Sequence, residues 1–191
     1  MQKVVEAVNE EIYISVDIEA AGPIPGQYSM LSLGACIVGN AGESFYVELK
    51  PINKSVVPEA ISVSNLNLEV LEANGRDPAA AMAQLRTWIG DVSKNGTPVF
   101  VGFNATFDWS FVNWYFHRFL GENPFGFGGI DIKSYYMGFS GCSWNETRSS
   151  RLPPEFQQSE PLTHNALDDA RAQASVFQRM LTARSIKLDD A

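Results

Sequence analysis

Residues 12–20, which read IYISVDIEA, carry the pattern that most restricts the fold of this chain. Apolar and polar side chains alternate here with the two-residue period of a β-strand. The apolar positions are Ile14, Val16 and Ile18, and the polar positions are Ser15, Asp17 and Glu19. A strand this apolar is expected at the centre of a sheet. It nevertheless presents two carboxylates on one face, which a central strand seldom does unless a cation or a cleft receives them.

The residues after this strand predict two more strands and then a change to helices. The next strands are MLSLGACIV (30–38) and SFYVELK (44–50), and turn residues separate all three, so we expect an antiparallel meander. Helical spacing then predicts a segment that Ser64 caps and that ends near Gly75, followed by a helix over 78–94.

The second half of the chain alternates strands and helices. PVFVGF (98–103) has the composition of a buried central strand, 106–120 is an aromatic-rich helix, and 129–132 is a short strand. A strong helical pattern over 165–183 closes the chain. The stretch 138–161 contains three prolines and no periodicity, which is typical of a binding loop or of a disordered insertion.

The order βββαβαβα predicts an α/β domain with a mixed five-stranded sheet and helices on both faces. The chain has 191 residues, 45% of them hydrophobic, which suits one domain (1–191, with its core at about 12–184). The N-terminal stretch is charged, and no apolar run is long enough to span a bilayer. We therefore expect a soluble, cytoplasmic protein without membrane contacts.

The charge and the cysteines exclude some functions. The net charge of −8 argues against tight, sliding association with duplex nucleic acid. The acidic excess lies in residues 1–117, and it indicates either a solvated surface or a carboxylate cluster that divalent cations neutralise. Cys36 and Cys142 form no recognisable metal or disulfide pattern, so cysteine chemistry is not expected to be the function.

Asp17 and Glu19 are the first candidate metal ligands. These residues are two positions apart on a strand, so their carboxylates share a face and are about 7 Å apart along the chain, although a solvent-facing strand gives the same pattern.

Asp108 is the second element, in the first turn of the helix after the fourth strand. It either complements the helix dipole, with Thr106 or Asn104 as the cap, or lines the crevice at the carboxyl ends of the strands.

The third element lies in THNALDDARAQA, where His164 precedes a helix and Asp169 follows five positions later. Asn165 and Asp168 resemble a capping box, which gives Asp168 a structural role and leaves Asp169 free. A histidine in such a place is either a surface residue or a general base. The other histidine, His117, is predicted to be a surface residue.

The ordered set Asp-x-Glu, Asn-x-x-x-Asp and His-x-x-x-x-Asp resembles the DEDDh family of 3′–5′ exonucleases, from about Ile12 to Leu181. The resemblance implies a ribonuclease H-like fold and a metal-dependent exonuclease that acts on single-stranded DNA or RNA, or on short oligonucleotides. It implies four metal ligands and a general base, which are Asp17, Glu19, Asp108, Asp169 and His164. VDIEAAG stands where the family often shows DxETTG, and Phe103 stands where a His-Asn pair is common. These departures bear on substrate preference.

The mechanism that this resemblance implies uses two Mg²⁺ or Mn²⁺ ions. In that mechanism Asp17 would be shared by both ions, Glu19 and Asp169 would complete the set that holds the first, and Asp108 would assist the second. His164 takes a proton from the attacking water, and a backbone that moves is expected to hold it away from the site until substrate and ions are present. The candidate substrate contacts are Ala20, Asn104 and Phe107.

Other aromatic residues of the 106–120 helix are candidate stacking platforms, although most of them are expected in the core. They are Trp109, Phe111, Trp114, Tyr115, Phe116 and Phe119.

Three alternatives remain at this stage. A ribonuclease H-type endonuclease is disfavoured because its glutamate is expected on the first helix, not two residues after the first aspartate. A small-molecule phosphohydrolase can use the same metals. A nucleic-acid- or protein-binding module can keep the fold without catalysis. A homodimer is also left open.

Overall fold

The computed structural model describes residues 10–94, 96–158 and 163–189, and these residues form a five-stranded sheet with flanking helices. The strands are β1 (Glu10–Ala20), β2 (Met30–Ile37), β3 (Asn40–Glu48), β4 (Gly96–Gly102) and β5 (Gly129–Asp131). Their order in the sheet is β3-β2-β1-β4-β5. β1 is therefore the central strand, as its apolar alternation predicts.

The pairing of the strands makes the sheet mixed. β2 is antiparallel to β1 and to β3, which confirms the meander. β4 is parallel to β1, and β5 is parallel to β4. The carboxyl ends of β1, β4 and β5 consequently lie at one edge of the sheet, where α/β proteins build their sites.

Helices cover both faces of the sheet, as predicted. They are α1 (Pro58–Ser64), α2 (Leu68–Asn74), α3 (Pro78–Val92), α4 (Thr106–Leu120), α5 (Ile132–Ser140) and α6 (Ala166–Asp189). The apolar face of β1 packs in one core cluster with residues of α3 and α4, among them Leu85 and Tyr115. Among the described residues, no helix has the length and apolar character needed to cross a bilayer.

The polar face of β1 lies under α6 and not in solvent. Ser15 is fully buried, and its hydroxyl donates to the carbonyl oxygen of Ala170 on α6 at 2.8 Å. α6 packs with α5 in a second core cluster that contains Val101, Ile132 and Phe177. The two carboxylates of β1 thus lie on a face that a helix covers, which excludes the solvent-facing explanation of their spacing.

A glycine allows α6 to begin close to the sheet. Gly34 on β2 is the register partner of Asp17. A Cβ at Gly34 would lie 2.3 Å from the backbone carbon of Ala166, the first residue of α6. The missing side chain lets the helix start directly on the β2 backbone, beside Asp17.

The prediction of one helix capped by Ser64 is wrong. Ser64 is the last residue of α1, and Asn65 has a left-handed backbone (φ 55°) that ends this helix. Asn tolerates that conformation better than most residues. α2 then begins with Asn67 as its cap, whose side chain accepts from the backbone N–H of Glu69 and Val70.

The predicted cap of α4 is also wrong. Ala105 holds the cap position without a side-chain bond, and Asn104 has a left-handed backbone (φ 66°). Asp131 at the end of β5 instead accepts from the backbone N–H of Ala105 at 2.8 Å. This bond ties the start of α4 to a distant strand, and neither Thr106 nor Asn104 supplies a side-chain cap.

The stretch 138–161 is more ordered than the sequence indicates. It contains the end of α5, which the sequence did not predict, and three short 3₁₀ turns at Trp144–Thr147, Ser149–Arg151 and Pro154–Phe156. Thr147, Leu152 and Phe156 are buried. A disordered insertion is therefore wrong for the described part of this stretch, and residues 159–162 lie outside the described residues.

Candidate active site

Asp17 and Glu19 project from the carboxyl-terminal half of β1 on the face that α6 covers, and both are partly exposed. The sheet register shifts directly after Glu19, between it and Ala20. β1 thus holds both carboxylates before the chain turns away. Their side chains face the start of α6, because Asp17 pairs with the glycine on which α6 rests.

Asp108 joins this pair from the first turn of α4. It is only 6% exposed, and its Oδ1 accepts a hydrogen bond from the backbone N–H of Ile18 at 3.1 Å. Ile18 lies between Asp17 and Glu19, so this bond fixes Asp108 beside both carboxylates. The crevice position predicted for Asp108 is therefore the one that the structure shows.

Asp169 enters from the first turn of α6 and is 5% exposed. Its Oδ1 accepts from the backbone N–H of Thr163 at 3.0 Å, and its Oδ2 accepts from the backbone N–H of His164 at 3.1 Å. These two bonds fold the preceding turn onto the carboxylate. Asn165 caps the helix, as predicted, by accepting from the backbone N–H of Leu167 and Asp168.

His164 has a left-handed backbone (φ 56°), which is uncommon for a residue other than glycine. One ligating atom each from Glu19, His164 and Asp169 lies within 4.8 Å of the other two. The expectation that the histidine is held away from the site is wrong, because one ring nitrogen lies within 4.8 Å of a carboxylate oxygen of each of these two acidic residues. The turn that Asp169 fixes supplies the reason.

Asp168 does not complete the predicted capping box. The backbone N–H of Asn165 donates to Oγ1 of Thr163, and the exposed carboxylate of Asp168 lies 3.6 Å from Nη1 of Arg171. His117 is exposed in the last turn of α4, as predicted for a surface residue. Both differ from the residues that converge at the edge of the sheet, which are Asp17, Glu19, Asp108, Asp169 and His164.

Gln173 is a residue of the site that sequence reasoning missed. It is 2% exposed on α6, and its Nε2 donates to Oδ1 of Asp17 at 3.1 Å and to the carbonyl oxygen of Val16 at 3.3 Å. Its Oε1 accepts from the backbone N–H of Phe103 after β4. The signal was present in the sequence: Gln173 follows Asp169 by four residues and so shares its helix face.

Burial and mutual repulsion raise the pKa values of Asp17, Glu19 and Asp108. Desolvation holds the pKa of Asp17 well above its usual range, and Asp108, Asp169 and Glu19 add to this, while the Gln173 hydrogen bond opposes it. Burial, with the charge of Asp169, raises the pKa of Glu19 to about 7. Burial likewise raises the pKa of Asp108 to about 7. Charged carboxylates are costly here unless a cation compensates them.

The candidate substrate contacts differ in how accessible they are. Ala20 is buried in the core. Asn104 is exposed on the turn after β4, and Phe107 is half-buried against the core with its ring 5.3 Å from Phe111. In the rest of the aromatic helix, three rings are buried and three are half-buried. The buried rings are Phe111, Tyr115 and Phe116, and the others are Trp109, Trp114 and Phe119.

Comparison with known proteins decides the family. The sequence profile of the exonuclease family (RNase_T) matches residues 14–177. The chain belongs to this exonuclease family. It is also 50% identical to the 3′-5′ DNA exonuclease Cap18 of Escherichia coli over 171 residues. This alignment covers 89% of this chain and 91% of the relative.

Solved structures agree on the fold of the exonuclease. The nuclease domain of 3′hExo, described as a DEDDh family member bound to rAMP, superposes with a TM-score of 0.72 at 14% identity and covers 90% of this chain and 92% of that chain. A zinc-bound complex of E. coli ExoI with ssDNA superposes with a TM-score of 0.68 at 17% identity, and the match covers 95% of this chain and 42% of that chain. The expected ribonuclease H-like α/β fold is confirmed.

Family membership also decides between the alternatives left open by the sequence. The chain is an enzyme, a 3′–5′ exonuclease that hydrolyses phosphodiester bonds, and the ribonuclease H-type endonuclease and the non-catalytic module are excluded. The DEDDh resemblance is confirmed. Its family implies divalent metal ions, and the acidic cluster at the edge of the sheet is compatible with them.

Proposed function

We propose that this exonuclease removes nucleotides from the free 3′ end of single-stranded DNA or RNA and depends on two divalent cations, Mg²⁺ or Mn²⁺. The observation that carries the proposal is the convergence of four carboxylates and one histidine from β1, α4 and α6. Three of these carboxyl groups have raised pKa values, and the largest cause in each is burial.

The donor set fits hard divalent cations. We assign Asp17, Glu19, Asp108 and Asp169 as the residues that hold them, because carboxylate oxygens are the ligands that Mg²⁺ and Mn²⁺ prefer. Bound cations would neutralise the mutual repulsion of these side chains, which otherwise makes the ionised cluster unfavourable. When bound, two such ions supply an activated water and stabilise the charge of the phosphoryl oxygens and the leaving oxygen.

We assign His164 the role of general base. Histidine is the side chain most often used as a general base, and one ring nitrogen of His164 lies within 4.8 Å of carboxylate oxygens of Glu19 and Asp169. The Oδ2 of Asp169 accepts from the backbone N–H of His164 and so fixes the backbone that carries the ring. Gln173 holds Asp17 in place from the other side, through its hydrogen bond to Oδ1.

The substrate preference rests on the relatives. The relative that is 50% identical is named a DNA exonuclease, which favours DNA. The ExoI complexes contain single-stranded DNA, and their fold similarity is compatible with a single-stranded substrate here. Asn104 and Phe107 remain candidate contacts for the terminal nucleotide, together with the backbone at Ala20. We also propose that the chain is a single exonuclease domain, which the family match over 14–177 supports.

End-labelled oligonucleotides test this proposal. A 5′-labelled single strand of DNA, its RNA counterpart, a strand with a 3′-phosphate and a circular single strand are incubated with Mg²⁺, with Mn²⁺ and with EDTA. We expect a ladder that shortens from the 3′ end with either ion, no product with EDTA, and no cleavage of the blocked or circular strands. Cleavage in EDTA contradicts metal dependence, and products from the circle contradict exonucleolytic action.

A further inference from the structure

A cavity of about 580 Å³ lies between the loop after β1, the segment after β3 and the outer side of α4. We call it the Trp114 groove. The residues that define it are Gly26, Lys50, Asn53, Trp114, Arg118 and Phe119. None of these residues belongs to the carboxylate cluster.

The apolar wall of the groove is the indole of Trp114. A Cβ at Gly26 would lie 2.9 Å from this ring, so the loop backbone rests directly on it. The side chain of Asn53 donates to the carbonyl oxygen of Gly26 at 3.2 Å and ties the loop to the segment after β3. Phe119 meets the edge of the indole with ring centroids 6.3 Å apart. These contacts fix the position of the Trp114 ring relative to the loop and to the segment after β3.

The polar wall carries two exposed cations, Lys50 and Arg118. Neither is part of an ion pair within the described ranges, where the cationic side chains of Arg86, Lys94 and Arg171 do have acidic partners. The acidic side chain in the lining is Asp77, whose Oδ1 already accepts from the backbone N–H of Ala80 as the cap of α3. In a chain of net charge −8, this is a place that attracts anions.

The groove shares two elements with the active site. The loop that contains Gly26 follows Glu19 and Ala20 directly. Arg118 follows Asp108 by ten residues on α4, which is about 15 Å along the helix axis at 1.5 Å per residue. A stacked strand of about four nucleotides covers that distance at roughly 3.4 Å per nucleotide.

We propose that the Trp114 groove binds the single strand upstream of the scissile bond, with Lys50 and Arg118 contacting backbone phosphates beside the apolar wall of Trp114. Aromatic and cationic groups along a groove are the usual means of holding single strands without sequence preference. This inference rests on the proposed function, because it takes the single strand as the substrate of the site. Cations held by the four carboxylates would bind the scissile phosphate, and the groove would supply additional affinity for longer strands.

The test compares a long and a short substrate. The double variant Lys50→Ala/Arg118→Ala is assayed on a strand of about 20 nucleotides and on a dinucleotide, which is too short to reach the groove. We expect KM for the long strand to rise and kcat to stay within twofold. We expect the kinetics on the dinucleotide to be unchanged. Two lost phosphate contacts lower the salt slope by about 1.4, so between about 50 and 200 mM salt the wild type should lose roughly sevenfold more affinity than the variant.

Arg86→Ala is the matched control, since it removes an exposed arginine that pairs with Glu122 at 3.0 Å outside the groove. It should leave both substrates unaffected. The proposal is contradicted if the ratio of kcat/KM on the long strand to kcat/KM on the dinucleotide is the same in the wild type and in the double variant. Trp144 is an exposed indole outside the groove that packs on Lys133. The proposal is also contradicted if Trp144→Ala, and not the double variant, loses affinity for the long strand. If the wild type cleaves neither substrate, the proposed function itself fails.

Discussion

The side chain of Gln173 on α6 donates a hydrogen bond to Oδ1 of Asp17 on β1 at 3.1 Å, while its own carbonyl oxygen accepts from the backbone of Phe103. One buried amide therefore joins the helix that carries Asp169 to the two parallel strands at whose ends the site lies. Asp17 is oriented by a residue of a different element, and the energetic consequences can be measured.

We expect Gln173→Met to destabilise the protein by about 1–3 kcal/mol, because the backbone N–H of Phe103 loses its partner. We also expect it to weaken Mn²⁺ binding and to lower kcat, since Asp17 loses the donor that orients it. Chemical denaturation, calorimetric titration with Mn²⁺ and single-turnover kinetics measure the three effects. Gln178→Met, at an exposed position of the same helix, is the control. Unchanged Mn²⁺ affinity in Gln173→Met contradicts the orienting role.

Asp169→Asn should abolish hydrolysis, because it removes one ligand charge from the site. Its amide oxygen can accept only one of the two backbone N–H bonds from Thr163 and His164, so we expect the turn before α6 to loosen while the rest of the fold stays intact. Asp17→Asn should abolish hydrolysis and leave the fold intact, because its amide oxygen can still accept from Gln173. The adjacent Asp168→Asn is a matched control, since this exposed carboxylate contacts Arg171 and not the site. Turnover of a labelled strand in Mg²⁺, together with thermal denaturation, separates the cases. Near wild-type turnover in Asp169→Asn is incompatible with the assignment.

His164→Ala should lower the single-turnover rate by about 100-fold or more, as expected for the loss of a general base. Metal affinity should stay nearly constant, because the carboxylates remain. His117→Ala, an exposed histidine at the far end of α4, is expected to have wild-type activity. Calorimetry with Mn²⁺ distinguishes a base from a ligand: a loss of affinity as large as that of Asp169→Asn makes His164 a ligand.

The metal-free protein should become less stable as the pH rises from about 4 to about 7. Glu19 and Asp108 have pKa values of about 7 in the fold, above their ordinary 4.5 and 3.8. A carboxyl whose pKa is raised by folding contributes stability below its unfolded pKa, and this is lost as the pH passes the folded value. Thermal denaturation in EDTA from pH 5 to 8 measures the decline, which Mg²⁺ should reduce. Glu19→Gln should flatten the curve, and an identical curve contradicts the pKa assignment.

Gly34→Ala should disrupt the start of α6, because the new Cβ meets backbone atoms of Ala166 at 2.3 Å. We expect lower stability together with lower activity, since this helix turn carries Asp169. Gly90→Ala is the control: nothing lies within 4 Å of its Cβ position in α3, and alanine there should stabilise by roughly 0.5–1 kcal/mol. Denaturant midpoints of both variants test the pair, and a neutral Gly34→Ala shows that α6 can shift without cost.

Local patterns in the sequence were sufficient for the strands, for most helices and for the candidate residues. The alternation over 12–20 predicts a central strand because side-chain period and burial are coupled along one element. The spacing of Asp17 and Glu19, and of His164 and Asp169, is also local, so the sequence alone can propose them as candidates. The cap prediction for α4 was wrong, because no local side chain caps this helix and the backbone N–H of Ala105 donates to the distant Asp131.

The sequence by itself determined the order of the elements, the apolar face of each and the residue types able to hold a metal. Only the tertiary structure decided that the polar face of β1 lies under α6, that a ring nitrogen of His164 lies within 4.8 Å of Glu19 and Asp169 oxygens, and that Gln173 donates a hydrogen bond to Asp17. The physical reason is that these relationships join residues up to 157 positions apart in the chain. Their geometry depends on how closely α6 approaches β2 at Gly34, and a local pattern contains no information about such a distance.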